Sequence, residues 1–139
     1  MGEEKRQGLI NSGELLGVEL ILDIHNCNIE RFGKENLEKF VYNLCNHIGM
    51  DAVQIHTWEY LEDSNKRTED FLHLKGHSVV LFLKTSNITL HSFDNLGKIS
   101  LNIYSCKDFD EKLAEEFCLD YFQGEVKQSH FMLRYNYLK

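Results

Sequence analysis

Apolar and polar residues alternate along the chain with two different periods. An apolar residue at every second position, or a short unbroken apolar run, indicates a strand, whereas apolar spacing of three and four indicates a helix. The strand-like stretches are residues 17–26, 51–61, 77–84, 86–93, 98–106 and 124–138. The helix-like stretches are residues 33–50, which Gly49 would end, and residues 108–122, which Asp108 would cap. The predicted order is therefore β-α-β-β-β-β-α-β.

This order, with short turns between the middle strands, predicts an α+β fold. We expect a two-layer α/β sandwich in which two helices cover one face of a mainly antiparallel sheet. A single domain over residues 1–139 is predicted, with an exposed polar loop at residues 62–71. The nearly continuous apolar character of residues 77–84 is typical of a strand covered on both faces. A second sheet would then cover the free face, which favours a homodimer.

The Asp-Asn-Leu-Gly sequence at residues 94–97 predicts a hairpin turn and sets the register of the strands around it. Counting back from that turn places His91 opposite Ser100. A tight reversal at residues 84–87 would then return Ser78 to the side of His91.

The same count places Cys106 beside Thr85 and Ser86. We therefore expect Ser78, His91 and Cys106 to gather around the Thr85–Ser86 bond. A polar sheet face is often only a solvated surface, so the register alone leaves the structural and the chemical interpretations open.

Composition narrows the classes of function. The net charge of −7 argues against nucleic-acid binding as the main role, because a basic surface for phosphate contacts is missing. The apolar stretches are too short to span a membrane, and the first residues lack the apolar centre of a signal peptide. We therefore expect a cytoplasmic protein.

Four cysteines occur, at positions 27, 45, 106 and 118, and no pair has C-x-x-C spacing. We expect all four to be free, with Cys45 and Cys118 buried in helices. A weaker hypothesis is a metal site formed by His73, His77, His91 and Cys106.

The segment "KTSNITLHSF" followed by "LNIYSC" resembles the self-cleaving, pyruvoyl-dependent S-adenosylmethionine decarboxylases of bacteria and archaea. Their cleavage-site pattern is Glu-Ser-His-x-Thr-x-His-Thr-Trp-Pro-Glu, with a serine eight residues before the cleavage serine and a cysteine fifteen residues after the second histidine. Five residues fall at the corresponding places, namely Ser78, Ser86, Thr89, His91 and Cys106. The N-terminal "LGVELILDIHNC" is also similar to the family's opening strand, and residues 60–73 look like an insertion.

The resemblance implies a reaction and a role for each residue. Ser86 would attack the Thr85 carbonyl, the chain would split between them, and residue 86 would become the pyruvoyl cofactor that forms a Schiff base with the substrate. His91 would be the base of the processing reaction, and Ser78 would hold the oxyanion or ester. Cys106 would give the product its proton. No metal is needed.

Several points remain open at this level. Thr85 stands where the family has glutamate, Asn87 replaces a histidine, and Asp94-Asn95 replaces Pro-Glu. Two substrates are open. One is S-adenosylmethionine, whose decarboxylated product would be a precursor of spermidine and other polyamines, and the other is a basic amino acid such as arginine or ornithine. An uncleaved, non-enzymatic homologue is the further alternative. Asp23 is a candidate substrate-binding residue.

Overall fold

The structure, a computed structural model, describes residues 1–60 and 72–137. Its α-helices are α1 (Glu3–Asn11), α2 (Lys34–His47) and α3 (Glu111–Phe122). Its strands are β1 (Leu15–His25), β2 (Ala52–Tyr60), β3 (Gly76–Leu83), β4 (Ser86–Phe93), β5 (Lys98–Ser105) and β6 (Glu125–Tyr135). Two single-turn 3₁₀ helices lie at Ile29–Arg31 and Leu72–Leu74. The predicted loop at 62–71 lies outside the described residues.

The strands of the described chain form one sheet in the order β2-β3-β4-β5-β1-β6, and each neighbouring pair is antiparallel. The predicted α+β sandwich is therefore confirmed, and so is the order of elements from β1 to β6. The hairpin turn at 94–97 gives the predicted register, with His91 opposite Ser100 and Asn87 opposite Tyr104. The reversal after β3 pairs Ser78 with His91, also as predicted.

The core lies between the sheet and the helices. Helix α2 supplies a buried stripe at the three-and-four spacing of an amphipathic helix, and α3 supplies a second one. Phe40 of α2 and Phe122 of α3 meet at 4.7 Å between ring centroids. Both rings are fully buried, so their contact joins the two helices above the sheet.

Helix α1 was not expected from the sequence. Its buried residue is Arg6, whose guanidinium bonds to Asp108 and Glu111 and lies 4.7 Å from the centre of the Phe131 ring. The helix is thus attached to the rest of the fold by charge-assisted hydrogen bonds rather than by an apolar stripe. A search for apolar periodicity therefore could not find it.

The start of α3 also differs from the prediction. Asp110, not Asp108, is the N-cap, because its carboxylate accepts the backbone N–H groups of Lys112 and Leu113. The Asp108 carboxylate instead accepts hydrogen bonds from Arg6.

The second face of the sheet carries no layer from the described part of the chain. Trp58 is 72% exposed there, and Phe82 is 47% exposed. Val80 and Phe82 make β3 look apolar throughout, because they occupy this free face while Val79 and Leu81 face the helices. None of the helices in the described ranges has the length and apolar character needed to cross a bilayer.

Candidate functional site

Ser86 is the first residue of β4, directly after the Lys84–Thr85 turn. Its Oγ accepts the backbone N–H of Cys106 at 3.2 Å and donates to Ser105 Oγ at 3.2 Å. Ser105 Oγ in turn accepts the backbone N–H of Lys107 at 2.9 Å. The hydroxyl of the predicted cleavage serine is therefore fixed on two sides by the end of β5.

A cavity of about 190 Å³ adjoins this turn. It is lined by Gly49, Met50, Asp51, Leu83, Lys84, Thr85, Ser86, Ser105 and Lys107. Thr85 is exposed and Ser86 is half-buried, so the peptide bond between them borders both solvent and the cavity. A scissile bond in this position is accessible to its own serine and to water.

Ser78 and His91 form a second cluster on the free face of the sheet. Ser78 Oγ lies 2.6 Å from His91 Nδ1, and the ring of His91 packs against Phe93 at 4.6 Å. Two shallow cavities of about 240 and 230 Å³ both border this pair. Trp58 and Tyr60 line the second of them.

The protonation of His91 suits a base. Burial, the main cause, lowers the pKa of His91 below its ordinary value, and the Asp94 carboxylate opposes this while His77 adds to it. The ring is therefore mainly neutral at pH 7. When Nδ1 carries the proton and donates to Ser78, Nε2 keeps the lone pair that a general base requires.

Asp23 lies in the same cross-strand row as this pair. Ser100 is opposite both His91 on β4 and Asp23 on β1, and its Oγ donates to Asp23 Oδ1 at 3.0 Å. Asp23 is thus two strands from His91 on the same face. That position keeps it a candidate for binding a substrate at the Ser78–His91 cavities.

Cys106 is exposed, and the other three cysteines are buried. All four are free, as predicted. Burial raises the pKa of Cys27 to about 11 and raises that of Cys118 further, so these thiols are inert at neutral pH. Cys106 lies beside the Tyr104 hydroxyl, whose pKa is raised first by burial and then by this cysteine.

The two clusters do not meet within one chain, and in this respect the expectation was wrong. Ser86 and His91 lie five residues apart on the same strand, which at about 3.3 Å per residue separates them by roughly 16 Å. Cys106 is next to Ser86, as predicted, whereas Ser78 and His91 form a pair farther along the sheet. The residue count gave the correct neighbours across strands but ignored the distance along β4.

The hypothesis of a histidine and cysteine metal site is also wrong. His77 faces the helix layer, where its ring lies 3.4 Å from Ser92 Oγ and 3.4 Å from an Asp94 carboxylate oxygen. His91 faces the opposite side of the sheet, and Cys106 lies at the other end of β5. These side chains therefore cannot share one ion.

Sequence reasoning missed two polar residues near Ser86. Ser105 was overlooked because it lies inside an alternating strand and has no motif of its own, although the hairpin register already placed it opposite Ser86. Tyr104 was given no role because it belongs to no motif, although alternation along the strand already places it on the same free face as Cys106. Its ring has room there because β1 carries Gly17, where a Cβ would lie 2.9 Å from the Tyr104 hydroxyl.

Comparisons with known proteins point to one family. A family model described as S-adenosylmethionine decarboxylase matches residues 18–135. The S-adenosylmethionine decarboxylase proenzyme of Bacillus velezensis is 20% identical over 117 residues, which cover 84% of this chain and 83% of that protein. The crystal structure of the adenosylmethionine decarboxylase from Aquifex aeolicus VF5 matches with a TM-score of 0.66 and 13% identity, over 91% of this chain and 94% of that one.

The structural likeness, at this identity, shows the shared fold. The family match extends from β1 to the end of β6 and includes every candidate site residue named above, while α1 precedes it. The chain belongs to the S-adenosylmethionine decarboxylase family.

Proposed function

We propose that this chain is a self-processing proenzyme that cleaves itself between Thr85 and Ser86 and then decarboxylates S-adenosylmethionine. The observation that carries the proposal is the position of Ser86. It begins β4 after an exposed turn, and the backbone N–H of Cys106 donates to its Oγ. In the cell, we place this activity in the cytoplasm, at the step that supplies polyamine synthesis.

The cleavage needs only protein groups and water. Ser86 Oγ bonds to the Thr85 carbonyl carbon, the Thr85–Ser86 amide breaks, and the hydroxyl proton ends on the freed amine of residue 86. β-Elimination then removes the α-proton of residue 86 and releases the Thr85 carboxylate. Water completes the reaction by replacing the nitrogen, which leaves as ammonia, and residue 86 becomes a pyruvoyl group.

We propose that two copies of the chain build each site together. A base for the elimination must reach the α-proton of residue 86, and His91 of the same chain is roughly 16 Å away along β4. The uncovered sheet face, with exposed Trp58 and Phe82, offers a surface on which a second copy can pack. A homodimer of this kind would bring Ser78 and His91 of one subunit to Ser86 and Cys106 of the other.

The mature enzyme would use the same residues differently. When formed, the pyruvoyl carbonyl supplies the electron-withdrawing group that a decarboxylation requires. Cys106 is exposed and adjacent to residue 86, so its thiol can deliver a proton to the product carbon. Asp23, in the row of His91, can pair with the positive charge of a substrate such as S-adenosylmethionine.

Cleavage and substrate are tested in two steps. Intact-mass measurement of the purified wild-type chain and of Ser86→Ala should show two fragments in the first and one chain in the second. Release of CO₂ from carboxyl-labelled S-adenosylmethionine, compared with labelled arginine and ornithine, then identifies the substrate. A wild-type chain that stays whole after long incubation would instead indicate an uncleaved homologue.

A further inference from the structure

We propose that Ser105 is a positioning residue for self-cleavage, which orients the Ser86 hydroxyl for attack on the Thr85 carbonyl. This inference rests on the proposed function, since it assigns a role in the same cleavage. Ser105 would act in the first step, ester formation, whereas His91 acts in the later elimination. Ser105 also belongs to the same chain as the bond that is cut.

The hydrogen bonds around Ser105 form a short directed chain. Ser86 donates its hydroxyl proton to Ser105 Oγ at 3.2 Å, and the backbone N–H of Lys107 donates to the same oxygen at 2.9 Å. Ser105 thus receives two hydrogen bonds, one of them from the backbone of the segment that follows Cys106. Its oxygen therefore fixes where the Ser86 proton points.

Ser105 is itself rigidly held. Its side chain is fully buried on the helix side of β5, directly opposite Ser86 in the strand register. On the neighbouring strand, Gly17 allows close approach, because a Cβ at that position would lie 2.5 Å from the Ser105 carbonyl oxygen. A buried side chain whose oxygen accepts two hydrogen bonds has little room to move, which is what orienting a nucleophile requires.

The geometry also explains why orientation matters at this serine. Ser86 Oγ uses one lone pair to accept the N–H of Cys106, and it uses its only proton to donate to Ser105 Oγ. The remaining lone pair is then free for the Thr85 carbonyl carbon. Without Ser105, the hydroxyl rotates about its Cβ–Oγ bond, and the reactive arrangement becomes one of several.

Ser92 provides a matched comparison within the same sheet. It too is a fully buried serine on the helix face, and its Oγ accepts a backbone N–H, that of His77, at 3.0 Å. It lies six residues beyond Ser86 on β4 and makes no contact with it. Ser92→Ala therefore removes an equivalent buried hydroxyl without touching the cleavage serine.

The experiment follows cleavage of freshly purified full-length chains by intact mass, with thermal unfolding measured on each. Ser105→Ala should slow cleavage about tenfold, as expected when one orienting hydrogen bond is lost. Ser105→Thr keeps the hydroxyl and should restore cleavage to within about threefold of wild type. Ester formation leaves the intact mass unchanged, so it is read from cutting by hydroxylamine, and Ser92→Ala should form the ester at the wild-type rate even if its melting temperature falls as far as that of Ser105→Ala.

Hydroxylamine separates the first step from the second, because it cuts esters and leaves amides intact. Hydroxylamine should cut Ser105→Ala about tenfold more slowly than it cuts His91→Ala, because the ester of Ser105→Ala forms slowly, whereas His91→Ala forms the ester normally and should split between residues 85 and 86. Equal cleavage rates in Ser105→Ala and wild type would overturn the role of Ser105, as would rapid cutting of Ser105→Ala by hydroxylamine. A wild-type chain that never cleaves would overturn this inference together with the proposed function.

Discussion

Producing Ser86→Ala chains together with His91→Ala chains separates a shared site from a site within one chain. Neither chain should process itself alone, because the first lacks the nucleophile and the second lacks the base. In a mixed dimer, however, the intact Ser86 of one subunit would face the intact His91 of the other. One of the two sites would then be complete.

The expected yield follows from the roughly 16 Å between Ser86 and His91 along β4. This distance is far beyond the reach of a proton transfer, so His91 cannot serve the serine of its own chain. With equal amounts and random pairing, half of the dimers are mixed, and about half of the His91→Ala chains should be cleaved. If both residues acted within one chain, the mixture would give no more product than His91→Ala alone.

The assay is intact mass on co-purified chains that carry different affinity tags. Cleavage confined to the His91→Ala chain would support the shared site. As a control, Thr57→Val on β2 alters a polar side chain that points to the helix side of the sheet, where it bonds to Glu38, and not to the face that carries Ser78 and His91; it should process as wild type does. Mixed chains that are dimeric by sedimentation but stay whole under conditions in which wild type is cut would show that the site is not shared between subunits.

Four further outcomes are expected. Arg6→Met leaves the buried Asp108 carboxylate without its partner and should lower the free energy of unfolding in urea by about 3 kcal/mol, whereas a loss below about 0.5 kcal/mol would show that α1 is not held by this pair. Asp110→Ala removes the α3 N-cap and should cost about 1 kcal/mol in the same assay, and no change would contradict the capping assignment. The acid limb of the processing rate should have its midpoint below pH 6.5, because burial lowers the pKa of His91 from its ordinary value and protonation removes the base, so a midpoint above pH 7 would be the contrary result. Cys106→Ala should process nearly normally but lose about 10²-fold in CO₂ release, and equal losses in both reactions would refute its role as proton donor.

The sequence predicted the middle of the sheet well because local chemistry determines it. The Asp-Asn-Leu-Gly turn sets the pairing of β4 with β5, so the partner of His91 on β5 follows from that turn by counting, and the reversal at residues 84–87 gives its partner on β3. Alternation then assigned each side chain to a face. For this reason the sequence correctly placed Ser78 beside His91 and Cys106 beside Ser86.

The remaining features depend on contacts between distant parts of the chain. Helix α1 is held by the bond from Arg6 to the Asp108 carboxylate, 102 positions away, and no local sequence pattern predicts such a pair. Asp108 was predicted to be the N-cap because it precedes the apolar positions of α3, but its carboxylate accepts hydrogen bonds from Arg6 instead. The separation of Ser86 from His91 was missed because counting partners across strands says nothing about distance along them.

Self-cleavage at Ser86 is tested most directly by the intact mass of the purified wild-type chain. We expect two fragments, one ending at Thr85 and one beginning at residue 86 with a mass that corresponds to a pyruvoyl group in place of serine. We also expect Ser86→Ala to remain one chain under the same conditions. A wild-type mass that stays undivided, or a Ser86→Ala chain cut at the same bond, would contradict self-cleavage at Ser86.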